Sequence, residues 1–299
     1  MEGGFVNNKI GIYYAFWEQE WAADFFQYVE KVSRMGFDVL EINAGAILEM
    51  SAGQRKDLSK AARDAGIELT YCIGLPRPYD MASEDSSVRQ AGIDYVQRML
   101  RAMYEMGGRT LGGILYGCWP AQPAQPITDK SKWWDLSVSS VREAAKTAGD
   151  TGVTLCMEVV NRFEQFLLNT AREGMRFVDQ VGSPNVKLLL DAFHMNIEED
   201  SIGAAIQGAQ GYIGHFHIGE TNRRVPGRGR MPWDEILDAL KAARYEGAIV
   251  MEPFLRMGGQ VGSDIRVWRD LSNQGGEAFM DQEAAFALNF IRSNLNERG

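Results

Sequence analysis

Four residues able to bind a cation or move a proton sit inside runs that are otherwise apolar: Glu158 in LCMEVVNRFE, Asp191 in LLLDAFHMN, His217 in GHFHIGE and Glu252 in IVMEPF. A carboxylate at the end of an apolar strand is costly to bury unless it is paired or bound to a cation. A single case is equally explained by a core salt bridge. Four, at the ends of what read as successive strands, point to one shared site. Three carboxylates and one imidazole offer mostly hard oxygen donors with one borderline nitrogen, which suits Mn2+, Co2+ or Mg2+ better than a closed structural zinc site. Four protein ligands on a six-coordinate ion would leave room for two oxygens of a substrate. All three histidines of the chain, His194, His215 and His217, fall within one short stretch. Alternation along a strand puts His215 on the same face as His217, one layer deeper, where a hydrogen-bonded supporting role is expected.

The elements that must position these residues follow a repeating rhythm. A short run rich in Val, Ile, Leu and Tyr precedes a longer segment with apolar residues at three- and four-residue spacing, and the pair occurs eight times. Strands are expected at residues 9–16, 37–43, 67–74, 110–117, 153–160, 186–193, 213–220 and 248–254. Segments such as DFFQYVEKVSRMG and PWDEILDALKAARYEG end on a glycine, as helices with glycine stops do. Strands alternating with helices require a parallel sheet, because each return needs a long crossover. Eight regular units suit a closed (β/α)8 barrel, and no GxGxxG turn follows the first strand to favour an open doubly wound sheet. The expectation is therefore a single α/β barrel domain over residues 9–299, preceded by a disordered extension over residues 1–8. Two loops break the rhythm: CWPAQPAQPITDKSKWW after strand four, and residues 255–276 after strand eight. Both leave the carboxyl ends of strands, where barrel enzymes build their sites, and read either as lids or as surface decoration.

Composition narrows the partners. The net charge of -9, with 40 acidic and 31 basic residues and no basic cluster, repels a phosphate backbone and argues against nucleic acid. No stretch approaches the roughly 18 unbroken apolar residues of a membrane span, and the start lacks a signal peptide's basic and apolar regions. Cys72, Cys118 and Cys156 have no CxxC spacing and lie in apolar runs, which fits a reducing cytoplasm.

The segments EVVNRFE, LDAFHMNIEE, GHFHIGETNRRVPGRGRMPWDEI, IVMEPFLRMGG and VWRDLSN, with GIYYAFWEQEW and CIGLPRPYDMAS nearer the start, resemble the ketose 3-epimerases. These are the D-tagatose and D-psicose (allulose) 3-epimerase family of the xylose-isomerase-like TIM barrels, and the likeness covers nearly the whole chain. It implies one divalent ion per subunit, Mn2+ or Co2+ with Mg2+ as a further option, held by Glu158, Asp191, His217 and Glu252. It also implies a free ketose as substrate and a homodimer or homotetramer as the assembly. Epimerisation beside a carbonyl removes a proton from carbon 3 and returns one on the opposite face, so two bases are needed; the resemblance assigns them to Glu158 and Glu252. It places sugar contacts at Glu164, His194 and Arg223 and pocket walls at Tyr13 and Trp119. Taken alone, Arg223 in NRRVPGRGR reads as a solvated loop charge, and Cys72 as inert packing. Two departures stand out: Ala192 replaces a threonine common in relatives, removing a hydroxyl beside Asp191, and Phe16 replaces a frequent tyrosine. An aldose–ketose isomerase on the same barrel and a non-catalytic sugar-binding protein are the alternatives. The paired glutamates disfavour the first, and a buried cation between them would be superfluous in the second.

Overall fold

The computed structural model describes residues 8–297. Its centre is a closed ring of eight parallel strands in sequence order: β1 (Ile10–Tyr13), β2 (Val39–Asn43), β3 (Glu68–Cys72), β4 (Thr110–Gly113), β5 (Thr154–Val159), β6 (Val186–Asp191), β7 (Ile213–Ile218) and β8 (Ile249–Met251). Pairing of β8 with β1 closes it. The crossovers are helices with local start and stop signals. Asp24 caps Phe25–Met35 and Gly36 ends it in a left-handed conformation. Thr170 and Glu173 form a capping box on Ala171–Val181, which Gly182 ends in the same way. Apolar residues on the outer strand faces, such as Leu188, Leu190 and Ile218, are buried beneath this helical layer.

All eight expected strands are present, and each is shorter than the sequence suggests. After β1 the chain enters a 3-10 turn at Tyr14–Phe16. After β4 it stops at Gly113, whose φ of 115° ends the extended run; a Cβ there would lie 2.1 Å from the carbonyl oxygen of Ile73. After β6 the carboxylate of Asp191 accepts the backbone N–H of Phe193 at 2.7 Å and starts the helix Ala192–Glu198, so Phe193 is helical. Apolar content extends past each strand because the turns that leave the barrel mouth are buried too.

The register explains which residues face inward. Tyr13 pairs with Glu41, Cys72 with Gly112, Gly112 with Cys156, and Glu158 with Leu189. Registered neighbours share a face. One irregularity opposite Leu188 and Leu189 shifts β7, placing His215 beside Leu189 and His217 beside Asp191. The inner face thus carries most of the polar chemistry, while the apolar core lies between strands and helices.

Of the extension expected at residues 1–8, residues 1–7 lie outside the described residues; Asn8 donates from its side-chain amide to the carbonyls of Tyr245 and Gly247 at 2.9 and 2.8 Å. No helix among the described residues is long and apolar enough to cross a membrane.

Candidate active site

β5 to β8 deliver Glu158, Asp191, His217 and Glu252 to one place, with one potential ligand atom from each lying within 4.8 Å of all the others. Glu158, Asp191 and His217 are buried, and Glu252 opens only slightly to the mouth. The arrangement fits a divalent ion on grounds of satisfaction and charge. Oδ1 of Asp191 is used by the Phe193 N–H, whereas its buried Oδ2 has no hydrogen-bond partner. Nδ1 of His217 is also buried and unpartnered. Such orphaned groups are rare in a native interior and call for a missing partner. Burial, then the nearby Glu252, pushes the Glu158 carboxyl well above its usual range. Burial likewise pushes Glu252 up to about 7, although His217 and Arg223 pull the other way. Burial thus disfavours negative charge on both glutamates, a penalty that a divalent ion between them would offset.

A supporting layer lies beneath. Glu41, fully buried on β2, places Oε2 2.7 Å from Nε2 of His215 and Oε1 2.6 Å from Nε2 of His217. The second contact is an ion-pair approach in which neither atom has a hydrogen-bond partner. Burial opposes charge on Glu41, yet the two histidines hold its carboxyl below the usual range. His217 shows the reverse balance: burial lowers it, and Glu41 outweighs this to raise it to about 10. With Nε2 facing Glu41, Nδ1 of His217 faces the cluster, 3.9 Å from Oε2 of Glu252. His215 thus sits one layer down, as expected from alternation. Glu41 was not among the expected residues. The signal was available in VLEIN, where a carboxylate shares the inward face of an apolar strand with Asn43.

Above the cluster opens a cavity of about 300 Å³, at the small end for small-molecule sites. Glu158 and Glu252 line it, together with Tyr13, Trp119, Glu164, His194 and Arg223. The expected contact residues therefore converge on one space. Trp119 donates its indole N–H to Oε2 of Glu164 at 2.9 Å. Nε2 of His194 lies 3.6 Å from Oε1 of Glu158 and 3.7 Å from Oδ2 of Asp191. Burial pulls the His194 pKa below its ordinary value against the opposing pull of Glu164.

Arg223 is not the solvated charge its local sequence suggests. It is 7% exposed, with its guanidinium 3.8 Å from the Phe193 ring centre and 5.4 Å from that of Phe254. Nη1 reaches Oε2 of Glu252 at 3.1 Å and Oδ2 of Asp191 at 3.5 Å. A left-handed backbone at φ 64° aims it inward. The carboxylate of Glu220 secures that loop by accepting from the backbone of Gly227 and Met231 and from the Trp233 indole. The two irregular loops both reach the mouth: Trp119 comes from the first, and Asp264 and Ile265 from the second. Asp264 accepts the indole N–H of Trp21 at 2.8 Å, tying the β8 loop to the β1 loop. Cys72 lines the cavity as well, but burial, then Glu41, raises its thiol well above the ordinary value, which keeps it protonated. Phe16 is buried against Trp17, and Ala192 is buried at the start of its helix.

A family model for the xylose isomerase-like TIM barrel matches residues 29–271. The chain is 51% identical to the D-psicose 3-epimerase of Ruminiclostridium cellulolyticum over 284 residues, which is 95% of this chain and 97% of that protein. It is 49% identical to the D-psicose 3-epimerase of Agrobacterium fabrum over 284 residues, 95% of this chain and 98% of that protein. A crystal structure of D-psicose 3-epimerase with D-tagatose from Clostridium cellulolyticum H10 superposes with a TM-score of 0.94 at 50% identity, covering 96% of this chain and 99% of the other. Sharing the barrel over most of its length and half its residues with such relatives, the chain belongs to the xylose isomerase-like TIM barrels and, within them, to the ketose 3-epimerases.

Proposed function

We propose that this enzyme epimerises free ketoses at carbon 3, with D-psicose and D-fructose as one interconverting pair, using one divalent ion held by Glu158, Asp191, His217 and Glu252. The observation that carries the proposal is the convergence of two carboxylates, one buried and one slightly open to the mouth, from strands three places apart in the ring, on one cavity above the orphaned atoms of Asp191 and His217. When bound, Mn2+, Co2+ or Mg2+ supplies positive charge beside the substrate's carbonyl and so favours loss of the neighbouring proton. Glu158 and Glu252 then do the proton work: one carboxylate removes the proton from carbon 3, and the other returns one to the opposite face of the planar enediolate. Their roles exchange in the reverse direction. Arg223 and His194 point donors at the oxygen on carbon 2, where negative charge grows, and Glu164 anchors a sugar hydroxyl. Tyr13 and Trp119 wall the cavity, excluding water that would otherwise exchange with the intermediate. The buried free thiols Cys72, Cys118 and Cys156 fit a cytoplasmic enzyme, and a homodimer or homotetramer is the assembly we expect.

The test is incubation of Mn2+-loaded protein with each ketohexose and identification of the products. Carbon-3 epimers as the main products support the proposal; aldoses as the main products contradict it. Glu41 adds a second expectation. Glu41→Gln removes the charge that holds Nε2 of His217, so Mn2+ affinity measured by calorimetry is expected to fall roughly 10–100-fold, as when partners of ligating histidines are lost. Unchanged affinity would contradict its role behind His217.

A further inference from the structure

Asn161, in EVVNRFE, is 2% exposed and belongs neither to the proposed cation ligands nor to the sugar contacts. Its amide has only one orientation that satisfies its neighbours. Oδ1 accepts the backbone N–H of Phe163 at 2.9 Å, and Nδ2 donates to Oε1 of Glu164 at 3.0 Å. Reversing the amide would set a carbonyl against a carboxylate and an N–H against an N–H. In the orientation that remains, Nδ2 also stands 2.7 Å from Nδ1 of His194. The backbone N–H of Asn161 points at that same nitrogen from 3.2 Å. Two donors converging on one ring nitrogen require a lone pair there. Nδ1 therefore carries no proton, the ring is not an imidazolium, and its single proton is on Nε2.

We infer that Asn161 is a positioning residue that locks His194 as an Nε2–H donor facing the cavity and steadies Glu164 with the same amide. The nearest carboxylate oxygens to Nε2, on Glu158 and Asp191, stand at 3.6 and 3.7 Å, beyond hydrogen-bond reach, which leaves that proton for a ligand oxygen. The other tautomer would turn a lone pair toward the cavity and repel the same oxygen. Locked in this way, His194 cannot accept a proton from substrate at Nε2, so the two proton transfers fall to Glu158 and Glu252. Only the identity of the oxygen, that on carbon 2 of a ketose, rests on the epimerase reading; the tautomer does not.

With only three histidines in the chain, the tautomer can be read directly. Mg2+-loaded protein carrying 15N-labelled histidine is examined by long-range proton–nitrogen correlation, and the His194 signals are identified by their loss in His194→Gln. The native protein, which involves no question of folding, is expected to show a bare Nδ1 and a protonated Nε2 at His194. Asn161→Asp replaces the nearer of the two donors by a charged acceptor, whose pull on a proton outweighs the longer backbone contact, so the His194 proton is expected to appear on Nδ1, with kcat falling on the order of 10²-fold as for loss of one oxyanion donor. A native ring protonated on Nδ1, or an Asn161→Asp ring unchanged from native, would overturn the inference. If the native tautomer is as inferred but no ketose turns over, the positioning role stands and the epimerase reading fails.

Discussion

Stripping divalent ions from the protein is expected to lower ketose turnover by on the order of 10³-fold, the several kcal/mol a cation supplies to a developing negative charge. Added Mn2+ or Co2+ restores it. The physical reason lies in the make-up of the cluster: three carboxylates share a buried space, Oδ2 of Asp191 and Nδ1 of His217 lack hydrogen-bond partners, and burial disfavours the charged forms of Glu158 and Glu252. A divalent ion would offset the burial penalty and the mutual repulsion of the carboxylates, so it is expected also to raise the melting temperature in proportion to the logarithm of its concentration. Metal content by mass spectrometry, turnover and melting are measured before and after chelation. Full turnover in demonstrably metal-free protein would sink the ligand assignment.

Glu158→Gln and Glu252→Gln are each expected to reduce kcat by roughly 10³-fold or more even at saturating Mn2+, since each substitution removes a base whose proton transfer alone contributes about 10²–10⁴-fold. Glutamine keeps the shape and loses the charge. Because burial opposes ionisation of both residues, the neutral amides should leave the metal-free fold as stable as the native one or more so, a separation of stability from function expected where a site stores unfavourable charge. Asp191→Asn offers a contrast. Asp191 holds the ion but moves no proton in this scheme, so part of its lost activity should return as Mn2+ is raised. Equal rescue of all three variants by metal would mean that the glutamates act only as ligands.

The barrel was legible because its signal is repeated: eight apolar runs, each followed by a helical stretch with a glycine stop, leave few other architectures. The four cluster residues were legible for a related reason, since a charged residue interrupting an apolar strand end is conspicuous on each of β5 to β8. Strand ends were less so, because the turns after β1 and β6 are themselves apolar and only the Asp191 cap and the Gly113 backbone break the extended run. The role of Glu41 was not legible locally because it depends on closure. Nothing local to VLEIN shows that β2 and β7 face each other across the interior, where Glu41 meets both His215 and His217. Arg223 is the opposite case. Its burial depends on rings from Phe193 and Phe254 and on a left-handed turn, three features from separate segments, and without the family resemblance the sequence reads as a surface loop. Asn161 stayed silent because a polar residue just past a strand is ordinary until its partners are known.

The measurement that bears most directly on the central claim is the position of solvent-derived hydrogen in the product. D-fructose or D-psicose is incubated with the Mn2+-loaded enzyme in heavy water, the epimers are purified, and each carbon is examined by magnetic resonance. Carboxyl protons on Glu158 and Glu252 exchange with solvent, so deuterium delivered by either should appear at carbon 3 of the epimerised ketose, and carbon 1 should stay unlabelled. An aldose–ketose isomerase forms an enediol across carbons 1 and 2 and would place exchanged label there. Deuterium at carbon 3 of a ketose product is the predicted result; an aldose as main product, or label confined to carbon 1, would contradict the paired-glutamate account while leaving the barrel and its buried cluster as described.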